Sequence, residues 1–189
     1  MKKEIVLTEE QIDLVCQRIA KEIKEKLKND EKIPVFVCVL KGSVNFMTDL
    51  LKYIDIPLYT DYIQISSYQG TQSTGRIQLL KDLSFDCNGR SIVIVEDIID
   101  TGGSMNYLIK HIANHSPKNI YVCTLFNKQY ARAFDIKADF VGVELNADKF
   151  LLGYGLDYNE IERNVPYVYC IDPKDAKELQ DIIDKDKAI

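Results

Sequence analysis

Three short stretches of the chain run apolar with no polar alternation: Val35-Phe36-Val37-Cys38-Val39-Leu40, Ser91-Ile92-Val93-Ile94-Val95 and Ile120-Tyr121-Val122-Cys123-Thr124-Leu125-Phe126. A strand with one face in water alternates apolar and polar side chains, so runs like these suit strands covered on both faces. Helical patterns lie between them, at Val44 to Tyr53 and Met105 to Ala113. Another precedes the first, over about Glu9 to Lys28, where Thr8 and Gln11 have capping-box spacing and Ile12, Val15, Cys16, Ile19, Ile23 and Leu27 recur at helical intervals. Alternation of this kind predicts a three-layer α/β domain, a mainly parallel sheet flanked by helices. A length of 189 residues is enough for one well-buried core and short for two.

Charge and cysteine usage narrow the functional classes. The net charge is −5, and no basic patch is visible that could bind a nucleic-acid backbone by counterion release. Cys16, Cys38, Cys87, Cys123 and Cys170 form no C-x-x-C pair, and four of the five have apolar neighbours, as buried free thiols do. The start, MKKEIVLTEEQ, meets acidic residues before any apolar run and does not read as a signal peptide. No stretch approaches the ~18 apolar residues of a membrane span. The expectation is a cytoplasmic protein that binds neither membrane nor nucleic acid.

Ser66 to Arg76, SSYQGTQSTGR, is nearly devoid of apolar residues and reads as an exposed loop of the kind that serves as a lid. Gly70 to Ile77 has the glycine spacing of a Walker A loop, but Arg76 and Ile77 replace the Lys and the Ser/Thr, which excludes an NTPase reading. His111 and His115 stand at i and i+4 on a helix with no acidic or cysteine ligand evident to complete a metal set, so a solvated pair is expected. Asp172 to Lys187 reads as a turn followed by a charged outer helix.

The richest chemistry lies where the second apolar run ends, in Val95-Glu96-Asp97-Ile98-Ile99-Asp100-Thr101-Gly102-Gly103-Ser104. In an open parallel sheet, ligands bind at the carboxyl ends of the strands. Backbone N–H groups of a glycine-rich turn opening a helix attract an anion, and Thr101 and Ser104 add hydroxyls. Glu96 and Asp97 suit a ribose diol, a divalent metal or both. A 5-phosphorylated ribose satisfies the whole arrangement. The ordinary alternative, carboxylates that merely cap a helix, leaves three acids at one strand end unexplained.

This segment resembles the phosphoribosyl-pyrophosphate signature of type I phosphoribosyltransferases, and VEDIIDTG is especially similar to their hypoxanthine-guanine branch. Leu40-Lys41-Gly42-Ser43 resembles that branch's pyrophosphate loop, Ser67-Tyr68 its flexible catalytic loop (about 66–78), and Lys128 with Phe150 to Asp157 its purine pocket. The motifs follow in the family's order from about residue 33 to 171. The resemblance implies a single domain over 1–189, with a small hood formed by about 146–171 and the amino-terminal segment.

The resemblance also implies a reaction and its parts. The ribose C1 of 5-phosphoribosyl 1-pyrophosphate passes to N9 of a 6-oxopurine, releasing pyrophosphate and giving IMP or GMP in purine salvage. Glu96 and Asp97 would hold the ribose hydroxyls, directly or through Mg²⁺, and Asp100, Thr101, Gly102, Gly103 and Ser104 would wrap the 5-phosphate. Asp100 would be the general base at N7. Lys41, Gly42 and Arg163 would meet pyrophosphate, and Asp157 would join Glu96 and Asp97 as a metal ligand. Lys128 would donate to O6 of the purine, where adenine offers no acceptor. Phe150 would stack on the base, Leu151 would offer backbone groups to its edge, and Ser67 and Tyr68 would close over the site. The family often has a cis peptide at the position of Leu40–Lys41, and its members are often dimers or tetramers.

Gly103 and Ser104 stand where relatives commonly have Lys or Arg and then Thr. The Glu144 to Lys149 run looks one residue longer than usual and lacks its proline, and Leu151 replaces a common valine. These departures bear on the shape of the base pocket and so on the ranking of hypoxanthine, guanine and xanthine. The competing readings are a transferase for another base and a regulatory nucleic-acid-binding member of the same fold; the acidic balance opposes the latter.

Overall fold

The computed structural model describes residues 2–67, 77–172 and 174–187. Along the chain come β1 (Glu4–Leu7), α1 (Glu9–Leu27), β2 (Val35–Leu40), α2 (Val44–Leu51), β3 (Tyr59–Ser67), β4 (Ile77–Lys81), β5 (Ser91–Ile99), α3 (Gly103–Ala113), β6 (Asn119–Asn127), β7 (Phe140–Glu144), β8 (Leu151–Leu152), β9 (Val168–Cys170) and α4 (Ala176–Lys187). Six strands form the central sheet in the order β4-β3-β2-β5-β6-β7. Its neighbours are parallel except β3 and β4, which are antiparallel.

The apolar runs take the innermost places. Phe36, Cys38, Val93 and Val95 face one layer with Ile12, Cys16, Ile19 and Ile23 of α1 and Phe46 of α2. Val35, Val37, Ile92 and Ile94 face the other with Met105, Leu108 and Ile112 of α3. Successive residues of one strand thus enter opposite layers, which is why the sequence there shows no alternation.

The capping box forms: Gln11 N–H donates to Thr8 Oγ1 at 3.3 Å and Thr8 N–H to Gln11 Oε1 at 2.9 Å. α2 stops at Leu51 rather than Tyr53, because Lys52 and Tyr53 turn back to Asp49 and Leu50 carbonyls three residues earlier. α3 starts two residues before Met105. The loop expected from Ser66 begins later, since Ser66 and Ser67 pair with Gln78 and Ile77 in the β3–β4 ladder. Tyr68 and the rest of the expected lid up to Arg76 lie outside the described residues.

A second sheet, β1-β9-β8, is antiparallel and joins the start of the chain to its last third. Leu151, Val168 and Cys170 reach the main core. Leu152, Tyr169 and Ile171 form a smaller cluster closed by Leu179 of α4. All five cysteines are buried and free, and no helix among the described residues is long and apolar enough to cross a membrane.

Candidate active site

β2, β5 and β6 run parallel, so their carboxyl ends open on one edge of the sheet, and the residues that follow β2 and end β5 meet there. Leu40–Lys41 is a cis peptide. A Cβ built on Gly42 would fall 1.7 Å from Asp97 Oδ2, and one on Gly155 would fall 2.0 Å from the Gly42 carbonyl oxygen. Gly42 is therefore clamped between the end of β5 and the loop carrying Gly155, and no larger residue fits. Ser43 is buried and ties this turn back to β2, its hydroxyl donating to Val39 O at 2.7 Å.

Glu96 and Asp97 lie side by side and partly covered. Burial raises both carboxyls above their ordinary range, and the neighbouring Asp97 charge raises Glu96 further. The Ile98 N–H, which donates to Asp97 Oδ1 at 2.7 Å, and the charge of Arg163 oppose the rise at Asp97. Two such carboxylates call for a cation or for hydroxyl donors.

Gly102, at φ +86°, is the N-cap of α3 and supplies no side-chain cap, so the acids of β5 do not cap this helix. The first N–H groups of α3 face the turn without helical acceptors. Residues 96 to 105 enclose a cleft of about 200 Å³, lined in part by the Thr101 to Ser104 turn. Thr101 Oγ1 accepts from Gly103 N–H at 3.4 Å.

Lys128 follows β6 and is buried, unlike an ordinary surface lysine. Its ammonium donates to Asp148 at 3.0 Å and Asp100 at 3.3 Å. Burial works against its charge, but the two carboxylates outweigh that and hold its pKa above the usual lysine value. Asp100 lines the small cleft, while Lys128 lines a second cavity of about 890 Å³ together with Asp148, Phe150 and Tyr158. Phe150 is 48% exposed, so it is not a core residue, and Tyr158 stands edge-on to it at 6.0 Å. Leu151 is buried in β8, the edge strand of the small sheet, whose outer backbone groups are not used by the ladder.

Arg163 gathers the loop beyond Gly155. It donates to Gly155 O at 2.7 Å and meets Asp157 at 2.9 Å and Glu160 at 3.2 Å, while its buried Nε has no partner. Lys41 is paired with Glu160 at 2.7 Å. Asp157, expected as a metal ligand with Glu96 and Asp97, is held by Arg163 and by the Glu160 N–H at 2.8 Å, and the same Arg163 charge acts on Asp97.

Several residues here carry no sequence signal. Arg132 donates to Asp100 O at 2.9 Å and to Asn127 Oδ1, and Asn127 donates to both Glu144 oxygens at 2.9 and 3.0 Å. Asp148 likewise joins the site only through folding, whereas Tyr158 and Glu160 end the stretch from Phe150 that resembles the family's base-binding loop. The pair His111 and His115 is not isolated either: Asp82, from the turn after β4, completes a three-residue group with them.

The chain belongs to the phosphoribosyltransferase family, whose phosphoribosyl transferase domain matches residues 4–159. Among curated relatives it is 41% identical over 172 residues to the hypoxanthine-guanine phosphoribosyltransferase of Bacillus subtilis (strain 168), covering 90% of this chain and 94% of that one. The enzyme of the same name from Staphylococcus aureus (strain Mu50) is 39% identical over 175 residues, 91% of this chain and 95% of that one. Among solved structures, a hypoxanthine-guanine phosphoribosyltransferase from Bacillus anthracis superposes with a TM-score of 0.85 at 35% identity, covering 91% of this chain and all of that one, 100%. The hypoxanthine phosphoribosyl transferase of Trypanosoma cruzi gives 0.87 at 30% identity over 94% and 95% of the two chains.

Proposed function

We propose that this chain transfers the 5-phosphoribosyl group of 5-phosphoribosyl 1-pyrophosphate to N9 of hypoxanthine or guanine, forming IMP or GMP and pyrophosphate. The observation that carries the choice of base is the Lys128–Asp100 contact, which sets a buried ammonium beside a carboxylate where the phosphate cleft meets the aromatic-walled cavity. A 6-oxopurine offers an acceptor to the first and a proton to the second, whereas adenine presents an amino group to the ammonium.

The roles follow the chemistry of the groups. The turn Thr101-Gly102-Gly103-Ser104 takes the 5-phosphate on backbone N–H groups. Glu96 and Asp97 take the ribose hydroxyls, and Lys41, Gly42 and Arg163 take pyrophosphate, Arg163 with a donor that has no protein partner. Asp100 receives the purine proton. Phe150 covers the base, Leu151 presents backbone groups to its edge, and Ser67 with Tyr68 shuts out water. Adjacent carboxylates raised by burial fit Mg²⁺, which takes one or two carboxylates together with substrate oxygens. Glu96, Asp97 and Asp157 would hold it, where it supplies charge neutralisation of the departing pyrophosphate. The hood is the β1-β9-β8 sheet, the setting is the cytoplasm, and the assembly is a dimer or tetramer.

An ultraviolet assay with Mg²⁺ and 5-phosphoribosyl 1-pyrophosphate, offering hypoxanthine, guanine, xanthine and adenine in turn, tests this reading. Turnover of hypoxanthine and guanine with none of adenine is expected. Absence of turnover with every 6-oxopurine overturns it.

A further inference from the structure

We propose that Asp82, His111 and His115 form a second metal site, selective for Zn²⁺ or a similar imidazole-preferring divalent ion and separate from the carboxylates of the transfer site. One ligand atom from each of the three lies within 4.8 Å of the others. His111 lies in the last turn of α3, and His115, expected on the same helix, falls in the turn after the C-cap Asn114, its N–H donating to Ile112 O three residues back; the two rings stand 5.5 Å apart and edge to face. Asp82 comes from a distant part of the chain, and its Oδ1 lies 2.7 Å from His111 Nε2. Tetrahedral coordination at about 2.0–2.1 Å places ligand atoms roughly 3.3 Å apart, within reach of small side-chain rotations here.

Both sides of the site rest on rigid supports. α3 is anchored by the fully buried Leu108 and Ile112, and the Tyr107 ring lies parallel to that of His111 at 6.1 Å. The turn bearing Asp82 is pinned by Asp61, which is 4% exposed and accepts N–H bonds from Ser84 at 2.6 Å and Phe85 at 2.8 Å. Lys81, the last residue of β4, is engaged by the Tyr62 and Asp82 carbonyls at 2.6 and 3.0 Å and by Asp61 at 3.5 Å. Two imidazoles and one carboxylate suit zinc and its neighbours, whereas Mg²⁺ prefers oxygen ligands. The set leaves a fourth position for water, and His111 lines a cleft that also touches Thr101, Gly103 and Ser104.

The consequence is mechanical. β4 returns from the segment proposed as the lid, and α3 begins at the phosphate turn. A metal joining Asp82 to His111 and His115 ties these two elements together.

Full-length protein stripped with chelator and held in excess Mg²⁺ is titrated with Zn²⁺ by calorimetry, alongside His111→Ala, His115→Ala and Asp97→Asn. The expected result is one equivalent bound by the wild type, affinity at least about tenfold weaker in either histidine variant, and no change in Asp97→Asn. Zinc then raises Tm in the wild type and Asp97→Asn but not in His115→Ala, whose exposed position keeps the fold. X-ray absorption of the zinc-loaded protein shows histidine ligands. No binding at millimolar Zn²⁺, or binding unchanged in His115→Ala, overturns the site. Because the readouts are binding and stability, they stand whichever base the enzyme uses.

Discussion

Asp100 sits at the point where three loops of the site converge, and its side chain and main chain are held by different partners. Its carbonyl accepts from Arg132 and its carboxylate from Lys128. The backbone is thus fixed, and among the described residues the carboxylate has only Lys128 to release in order to act as the base proposed above. Asp100→Asn keeps the fixed backbone and loses the base, so kcat should fall by about 10²–10⁴-fold with little change in sugar-phosphate affinity. Steady-state rates set against calorimetric binding of 5-phosphoribosyl 1-pyrophosphate separate the two. Gly42→Ala is the complementary case. Its Cβ would coincide with the Asp97 carboxylate, and overpacking of this kind costs about 1–3 kcal/mol. It should abolish sugar-phosphate binding while circular dichroism still reports a folded α/β protein. Sequence made the contiguous Glu96 to Ser104 stretch legible because the end of β5, the turn after it and the start of α3 carry its chemistry in one unbroken run. Arg132 and Asp148 were not legible, since each acts through a contact made only when separate loops meet.

Among the strands, those buried on both faces were the readable ones. β2, β5 and β6 carry unbroken apolar runs because both layers of the core demand them. β3 escaped notice because it lies next to the edge strand and spends an inward position on Asp61. That aspartate accepts N–H bonds from Tyr62, Ser84 and Phe85 and so shapes the turn after β4. Asp61→Ala strips the acceptor from three part-buried N–H donors, where a fully buried donor left unsatisfied costs about 1–3 kcal/mol. The expected loss is about 3 kcal/mol or more in urea unfolding, with Asp61→Asn recovering part of it. β8 and β9 span two and three residues, too short for periodicity, and owe their existence to pairing across the chain.

For the molecule as a whole, acid stability has a definable contributor in Asp30, which follows α1 and pairs with Lys118 ahead of β6 at 2.8 Å. Burial raises its carboxyl pKa, but hydrogen bonds from Lys118 and Ser91 and the Lys118 charge outweigh that and leave it below the ordinary value. A depressed carboxyl stabilises the fold fully above its unfolded pKa of about 3.9 and ceases to do so as pH falls through the lower folded value. Lys118 is half-exposed at 47%, so screening limits the contribution to about 1 kcal/mol. Asp30→Asn should therefore be less stable than the wild type by a constant amount above about pH 5, and that gap should close under stronger acid.

The burial of all five thiols has a use at this same scale. Desolvation lifts Cys16 to about 12 and Cys87 to about 11, so neither is a ready nucleophile in the closed fold. A thiol-modifying reagent then reads the rate at which each region opens, much as amide exchange does. The five sites are spread over α1, β2, the turn before β5, β6 and β9. Cys170, 7% exposed on a three-residue strand, should be labelled before Cys123, which is 0% exposed within the central sheet. Mass spectrometry of the labelled chain would then rank the stability of each layer with no substitution made, and the order of labelling would show whether the small sheet detaches while the parallel sheet stays shut.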